Sequence, residues 1–465
     1  MSVLNRLYQV VKKNKGMIRM LRAISFKIYE LRRYLVLSLI ISMMAIPIAN
    51  SIVIERDRNR NEMYGEAFWI YGFGVYNMTD TEVAEALDPE FGYDDGLHTL
   101  PEYLGNVKYE YPVFGLIFFA IATWIFPGGG PLQPLWLNFL MVLVFNLNLV
   151  LIAILLKERL FEQEWARLFV GGYYIYGLIM SAGGGKLEPL VDCLFLMALV
   201  LHQEKQHGKS MFTLGLAVQT KIYPAVAFPI FFLVSPLSSI WFFLSMIITI
   251  VPLTMFGVGF ESLIKHFLNT SEYSEQIVNP MYPGLVQSPI LPDATSSYLW
   301  LPALIPVVIY VAFLLYTFRL YLPDKEEFLG ASIYDKLKSL FPLYIYLLPG
   351  ILFVFRWVMP WYLMWLASMI FLLKRDRHSH GYIKHLTIVG LIYAYGVFCN
   401  LPYFLSGPLP DFLGHFPLGW LTIVGLALLV VLSIVAFLIW SKEMKKREYH
   451  DKLVAEAEAR GELVI

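Results

Sequence analysis

The feature that most constrains this chain is a succession of apolar blocks too long for the strands or helices of a soluble domain. They run from Tyr34 to Ile54, Tyr111 to Phe126, Leu135 to Leu156, Leu168 to Met180, Leu190 to Leu201, Ser210 to Ile222, Ala225 to Val234 and Ile240 to Val258. They resume at Leu299 to Phe318 and continue through Leu340 to Phe355, Val358 to Leu373, Leu386 to Phe404 and Leu418 to Trp440. A helix needs roughly 20 apolar residues to cross a bilayer, and several of these blocks are shorter than that. The pattern is that of an all-α, polytopic transmembrane helical bundle. Apolar residues make up 58% of the 465 residues and charged ones 15%, which leaves little to solvate a large water-soluble domain.

Basic residues fix the sides. Residues 1–33 carry Lys12, Lys13, Lys15, Arg19, Arg22, Lys27, Arg32 and Arg33 before the first apolar block, and no small-residue cleavage site follows. This stretch reads as a cytoplasmic, basic amphipathic segment before a retained first span, able to lie on anionic lipid. Residues 34–440 form the multi-pass body, and 441–465 a cytoplasmic tail. Basic connectors at 157–167, 202–209, 319–338 and 374–385 also read as cytoplasmic. The polar stretch 55–112 is then an exocytoplasmic first loop, and 259–298 a later outer loop. Both N-glycosylation tripeptides, at Asn77 and Asn269, fall in those loops. One region resists the scheme: 111–156 must cross an odd number of times, yet Gly128-Gly129-Gly130 splits it in two. Either the Tyr111 block does not span, or the nearly neutral connector 157–167 lies outside.

Lys plus Arg and Asp plus Glu number 36 each, so net charge gives no argument for binding nucleic acid or bulk anions. The two cysteines, Cys193 and Cys399, sit in or beside apolar blocks and read as packing residues, with no disulfide framework or thiolate cluster. The sequence has no Walker phosphate loop, no HExxH and no nucleotide-binding GxGxxG, which argues against a nucleotide-driven pump or a soluble-fold nucleotide-sugar enzyme.

Ionisable groups near membrane depth are costly and ask for a reason. Four places on the outer side carry them. The first is the start of the first loop, where Arg60 to Trp69 alternates acids and aromatics at the spacing of a short interfacial helix. Asp57, Glu62 and Glu66 lie there, close to the first span, where a carboxylate could take a proton from a hydroxyl. The later acids Asp80, Glu82, Glu85, Asp88, Glu90, Asp94 and Asp95 read as solvating the loop. The second is Gly183 to Asp192, in which Glu188 and Asp192 share a helix face at i, i+4. They could hold hydroxyls or a metal, or pair with Lys186 or another base. The third is Lys221 before Tyr223-Pro224. A continuous helix would carry it about 18 Å beyond Lys209, to a depth suited to a lipid phosphate or to snorkelling among headgroups. The fourth is Arg356 in an aromatic cluster, either an interfacial anchor or a phosphate clamp. No His stands in ligand spacing beside Glu188 and Asp192, and His378 and His380 belong to a basic cytoplasmic connector. A divalent metal is left open, and no other cofactor is called for.

In order along the chain these places carry Gly74-Val75-Tyr76, Tyr109-Glu110-Tyr111-Pro112, Asp192 after a glycine-rich turn, Gly215-Leu216-Ala217-Val218-Gln219-Thr220-Lys221-Ile222-Tyr223-Pro224, and Trp361-Tyr362-Leu363-Met364-Trp365. Gln287-Ser288 adds a fainter match. Taken together the set resembles the polyprenyl-phosphate-mannose-dependent mannosyltransferases of the GT-C superfamily, over most of the chain to about residue 370. The resemblance implies a GT-C-type helical bundle whose long exocytoplasmic first loop carries interfacial helices. It implies an inverting transfer of a hexose, mannose by analogy, from a polyprenyl-phosphate sugar donor to a lipid-linked or glycan acceptor on the exocytoplasmic face. The setting would be the plasma membrane, or the endoplasmic reticulum membrane of a eukaryote. An acid early in the first loop would act as base. Where many members have Asp three or four residues before the loop's first Tyr, this chain has Arg60 and Asn61, so Glu62 is the first candidate, Asp57 the second and Glu66 the third. Lys221 and Arg356 would hold the donor phosphate, with Glu188, Asp192, Tyr109, Tyr111, Tyr223, Trp361 and Gln287 in substrate contact. A transporter or flippase of a polyprenyl-linked substrate is the competing class. Paired half-sequence repeats are not evident, and the polar groups gather on one side.

Overall fold

A computed structural model describes residues 15–50, 55–91, 108–109, 111–125, 133–156, 173–174, 177–178, 180–182 and 186–255, together with single residues at 330, 332, 449, 456 and 460. Every element among them is helical; Thr79 and Lys108 form one isolated antiparallel bridge.

Helix α1, Lys15–Asn50, joins the basic segment to the first apolar block without a break. No glycine or proline lies between Met17 and Ile46 to interrupt it. Val36, Leu37, Ile40, Met43 and Met44 are exposed on this helix. Its inner side uses small polar groups: Ser38 donates to Asn146 Oδ1 at 2.6 Å, and Asn146 Nδ2 reaches Ser42 Oγ at 3.4 Å. These bonds tie α1 to the helix that carries Asn146.

The stretch expected as a first outer loop opens with a full helix, α2, Glu55–Tyr71, then a 3-10 helix, Gly72–Asn77, and α3, Asp80–Phe91. Thr79 and Glu82 start α3 with reciprocal bonds: Glu82 N donates to Thr79 Oγ1 at 3.3 Å and Thr79 N donates to Glu82 Oε2 at 2.7 Å. Those bonds, backbone first, hold the Glu82 carboxyl below the usual glutamate range. Asn77 is exposed at the end of the 3-10 turn.

Helix α4, Val113–Ile125, packs along α2. At 1.5 Å per residue it is about 20 Å long, short of the ~30 Å hydrocarbon core. A Cβ on Gly65 would lie 2.8 Å from the backbone C and O of Phe119, so glycine sets how closely α2 and α4 approach. Trp69 Nε1 donates to Ala120 O at 2.7 Å in the same seam.

Helix α5, Gln133–Leu156, contains Trp136–Leu155, the stretch among the described residues long and apolar enough to cross a membrane. Three buried asparagines on it reach different neighbours. Asn138 Nδ2 donates to Ala182 O, Asn146 bonds α1, and Asn148 Nδ2 donates to Pro189 O at 2.8 Å.

Helix α6, Glu188–Gln203, begins on Pro189, whose missing N–H costs nothing in a first turn. It returns through Lys205, at φ 58°, into α7, His207–Val218, and Ser210 Oγ donates across the hairpin to Ala198 O at 2.7 Å. The chain then leaves the α-helix before Lys221 and enters a 3-10 turn, Tyr223–Ala227, where Pro224 supplies no donor. Short α8, Phe228–Val234, and α9, Ser239–Met255, complete the described part, with α9 packed on α7.

Candidate active site

From Arg58 onward the polar run of α2 is buried. Arg58, Asn59, Arg60, Asn61, Glu62 and Glu66 are all under 5% exposed. The sequence favoured a short helix along the interface. The helix forms, but α4, α3 and the 3-10 turn pack against this part, and Trp69, Ile70 and Tyr71 are exposed at its far end. Buried charge has to be paired, and it is. Arg60 Nε donates to Asp80 Oδ1 and Oδ2 at 2.9 and 3.0 Å, with its guanidinium 5.6 Å from the ring centres of both Tyr64 and Tyr109. Asp80 is therefore no solvating loop acid: it is fully buried, and it fixes the first residue of α3 to α2.

Glu62 is 1% exposed, with its Oε1 4.0 Å from Arg58 Nε one turn earlier on the helix. Arg58 in turn reaches Asn138 Oδ1 of α5 at 3.5 Å and Asn59 Oδ1 at 3.2 Å. Arg58 has no counterpart in the sequence reading. Its signal was the unbroken polar run Asp57 to Glu62, too polar around its whole circumference for a helix lying on lipid.

The end of the first loop links this group to the second. Tyr109 Oη donates to Asn61 Oδ1 at 2.9 Å, and its ring meets that of Tyr111 edge-on at 5.5 Å. Tyr76 Oη donates to Tyr111 O at 2.8 Å, and Lys221 Nζ lies 5.7 Å from the centre of the Tyr111 ring. Phe114 N donates to Gln219 O at 3.0 Å, which joins the start of α4 to the end of α7.

Lys221 pairs through Nζ with Glu188 Oε1 at the first turn of α6. The carboxylate side chain is wholly buried, whereas the lysine side chain keeps 13% exposure. Lys221 is neither at the end of a continuous helix nor snorkelling; the break after Val218 turns it inward onto Glu188. One turn further along α6, Asp192 accepts from Tyr223 Oη on Oδ1 and from Tyr173 Oη on Oδ2, both at 2.9 Å. Asn148 Nδ2 lies 3.3 Å from Tyr173 Oη. Lys186 is buried at 2% exposure beside these groups. Burial pushes its ammonium well below the usual lysine range; Glu188 opposes that shift and Lys221 adds to it.

Six of the expected site residues thus come together: Tyr109, Tyr111, Glu188, Asp192, Lys221 and Tyr223. Glu188 and Asp192, open between substrate, metal and pairing in the sequence, take charged and hydroxyl partners from the protein. Among the described residues no three of His, Cys, Asp and Glu are grouped to hold a metal ion. Glu66 is buried on α2. Asp57 lies in the first turn of α2, but its side chain is outside the described residues, as are Arg356, Trp361, Gln287 and the loop 259–298. Cys193 is free and buried in the core, as a packing residue would be; Cys399 is outside the described residues.

Residues 109–334 match the model of Glycosyltransferase family 87, just under half of the chain. The match supports a glycosyltransferase, which uses a sugar donor and an acceptor. It begins at Tyr109 and takes in the whole Glu188, Asp192, Lys221 and Tyr223 cluster, but not α2. No curated protein and no solved structure matches the chain.

Proposed function

We propose that the chain is a polytopic, GT-C-type hexosyltransferase that takes a sugar, mannose by resemblance, from a polyprenyl-phosphate donor and transfers it with inversion to a lipid-linked or glycan acceptor on the exocytoplasmic face. The observation that carries this reading is Lys221: a partly exposed ammonium on the turn after α7, set against Tyr111 and inside the stretch that matches a glycosyltransferase family. A donor that already bears a phosphate leaving group needs no nucleotide and arrives by lateral diffusion. A cation fixed in a site with little water stabilises the charge that grows on that phosphate.

Glu62 is the base. The acceptor O–H gives its proton to the Glu62 carboxylate, the oxygen forms a bond to the anomeric carbon, and the bond from that carbon to the phosphate oxygen breaks with its electron pair on the leaving polyprenyl phosphate. Arg58, 4.0 Å from Glu62 and tied to Asn138 of α5, orients the carboxylate. Arg356 is the second phosphate ligand by resemblance, with Trp361 and Gln287 in substrate contact.

The test supplies membranes containing the protein with radiolabelled polyprenyl-phosphate mannose and a lipid-linked acceptor. The wild type transfers label, and Glu62→Gln lowers the rate by about 10² to 10⁴-fold, the usual contribution of a general base. Absence of transfer by the wild type to every acceptor tried would overturn the activity. Full transfer by Glu62→Gln, with loss in Asp57→Asn, would move the base to Asp57.

A further inference from the structure

The ion pair at Lys221 raises a difficulty for the donor-phosphate role. The lysine meant to receive an anion already has one, because Glu188 is in direct contact with its Nζ. A carboxylate there competes with any phosphate, and in a site of low polarity the competition is strong. The surroundings suggest how it is relieved. Glu188 is wholly buried and held at the N-terminal turn of α6, while Lys221 lies on the turn after α7 and keeps its partial exposure. Of the two, the lysine has the freedom to reach an incoming ligand. A second lysine, Lys186, sits two residues before Glu188 at 2% exposure.

We propose that Glu188 is the resident counter-ion of the donor-phosphate subsite, from which a lipid phosphate takes Lys221. This rests on the donor reading above and deepens it. Glu188 keeps Lys221 folded inward over Tyr111. With the phosphate bound, Lys221 turns to its oxygens. The arrangement discriminates among ligands: a neutral glycolipid cannot displace the carboxylate, whereas a phosphate monoester or diester can.

The consequence is a pair of variants with effects of opposite sign. Glu188→Gln removes the competitor and tightens binding of a lipid phosphate. Lys221→Gln removes the cation that meets the phosphate, and weakens the same binding. General damage to the site would weaken both. The experiment uses the full-length protein in nanodiscs and measures equilibrium binding of undecaprenyl phosphate, with undecaprenol as the neutral control. The expected result is about tenfold tighter binding for Glu188→Gln and about tenfold weaker for Lys221→Gln, a change near 1.4 kcal/mol in each direction. No response to undecaprenol is expected. Wild-type binding of undecaprenyl phosphate that is unchanged or weakened by Glu188→Gln, with Lys221→Gln weaker than wild type, overturns the counter-ion role and leaves the donor reading standing. Undecaprenyl phosphate that fails to bind the wild type at all overturns both.

Discussion

Arg60 Nε donates to both carboxylate oxygens of Asp80, at 2.9 and 3.0 Å, and so fastens the helix bearing Glu62 to the first residue of the next helix. The pair is buried, and Tyr64 and Tyr109 flank the guanidinium. Breaking such a pair from one side strands a charge without water, at a cost of about 3–5 kcal/mol. Asp80→Asn and Arg60→Met are each expected to lower the unfolding temperature of the purified protein markedly. The double variant Arg60→Met with Asp80→Leu recovers much of the loss, since no lone charge remains. A thermal unfolding series in one detergent checks this; equal and additive losses would show that the two side chains do not act as a pair.

Two glycines close in sequence give opposite expectations. A Cβ at Gly65 would stand 2.8 Å from backbone atoms of Phe119, and backbone cannot swing aside as a side chain can. Gly65→Ala therefore forces α2 away from α4, with an expected cost of about 1–3 kcal/mol for overpacking. At Gly74 nothing lies within 4 Å of the added carbon, so Gly74→Ala leaves stability within about 0.5 kcal/mol. Unfolding temperatures of the two variants side by side decide the matter, and a Gly65→Ala protein as stable as wild type would count against this helix contact.

Much of this architecture was legible because apolar length is a strong signal. The blocks 111–126, 135–156, 190–201 and 240–258 lie over α4, α5, α6 and α9 to within a few residues. Thr79 and Glu82 have the spacing of a capping box and form one. The site was less legible, for a physical reason. A charged residue in a polar stretch looks the same whether it faces water or a buried partner, and the partner is usually distant in sequence. Asp80 read as a solvating acid because nothing near it announced Arg60, twenty residues earlier. Glu188 could be narrowed only to pairing or binding, because its partner Lys221 arrives from another helix. Arg58 went unnoticed for the same reason, since its contact with Asn138 crosses from the first loop to α5. Periodicity reports which side of a helix is apolar, and α2 has no apolar side along Arg58 to Glu62.

Asp192 receives two tyrosine hydroxyls at equal length, yet the two are not equivalent. Tyr223 follows Lys221 by two residues, so its bond to Asp192 fixes the turn that carries the ammonium. Tyr173 supports the carboxylate from the other side and bonds to Asn148. Removing either hydroxyl leaves a buried oxygen short of a donor, at about 1–3 kcal/mol. Tyr223→Phe is expected to raise KM for the proposed polyprenyl-phosphate donor several-fold, whereas Tyr173→Phe lowers stability with a smaller change in KM. Donor titrations of both variants, beside their melting temperatures, separate the two roles. Identical KM values would remove Tyr223 from the positioning of Lys221.

At the opposite end of α6, His202 is stacked on Phe231 with ring centres 4.5 Å apart, and His207 meets it edge-on at 4.9 Å. Burial first, and His207 second, push the His202 imidazole down from 6.5 to about 4. A histidine with a depressed folded-state pKa is neutral in the native protein and charged in the unfolded chain through the interval between the two values. The unfolded state there binds the extra proton, so stability rises with pH. The contribution of neutral His202 is therefore complete above about 6.5, declines as pH falls from 6.5 towards 4, and changes no further below that. His202→Phe keeps an aromatic ring against Phe231 and removes the titration. The difference in unfolding free energy between wild type and His202→Phe should thus shift in favour of the variant across pH 6.5 to 4 and hold constant from pH 7 to 8. A difference that stays flat across the acidic interval would mean that His202 titrates as freely in the folded protein as in the unfolded chain.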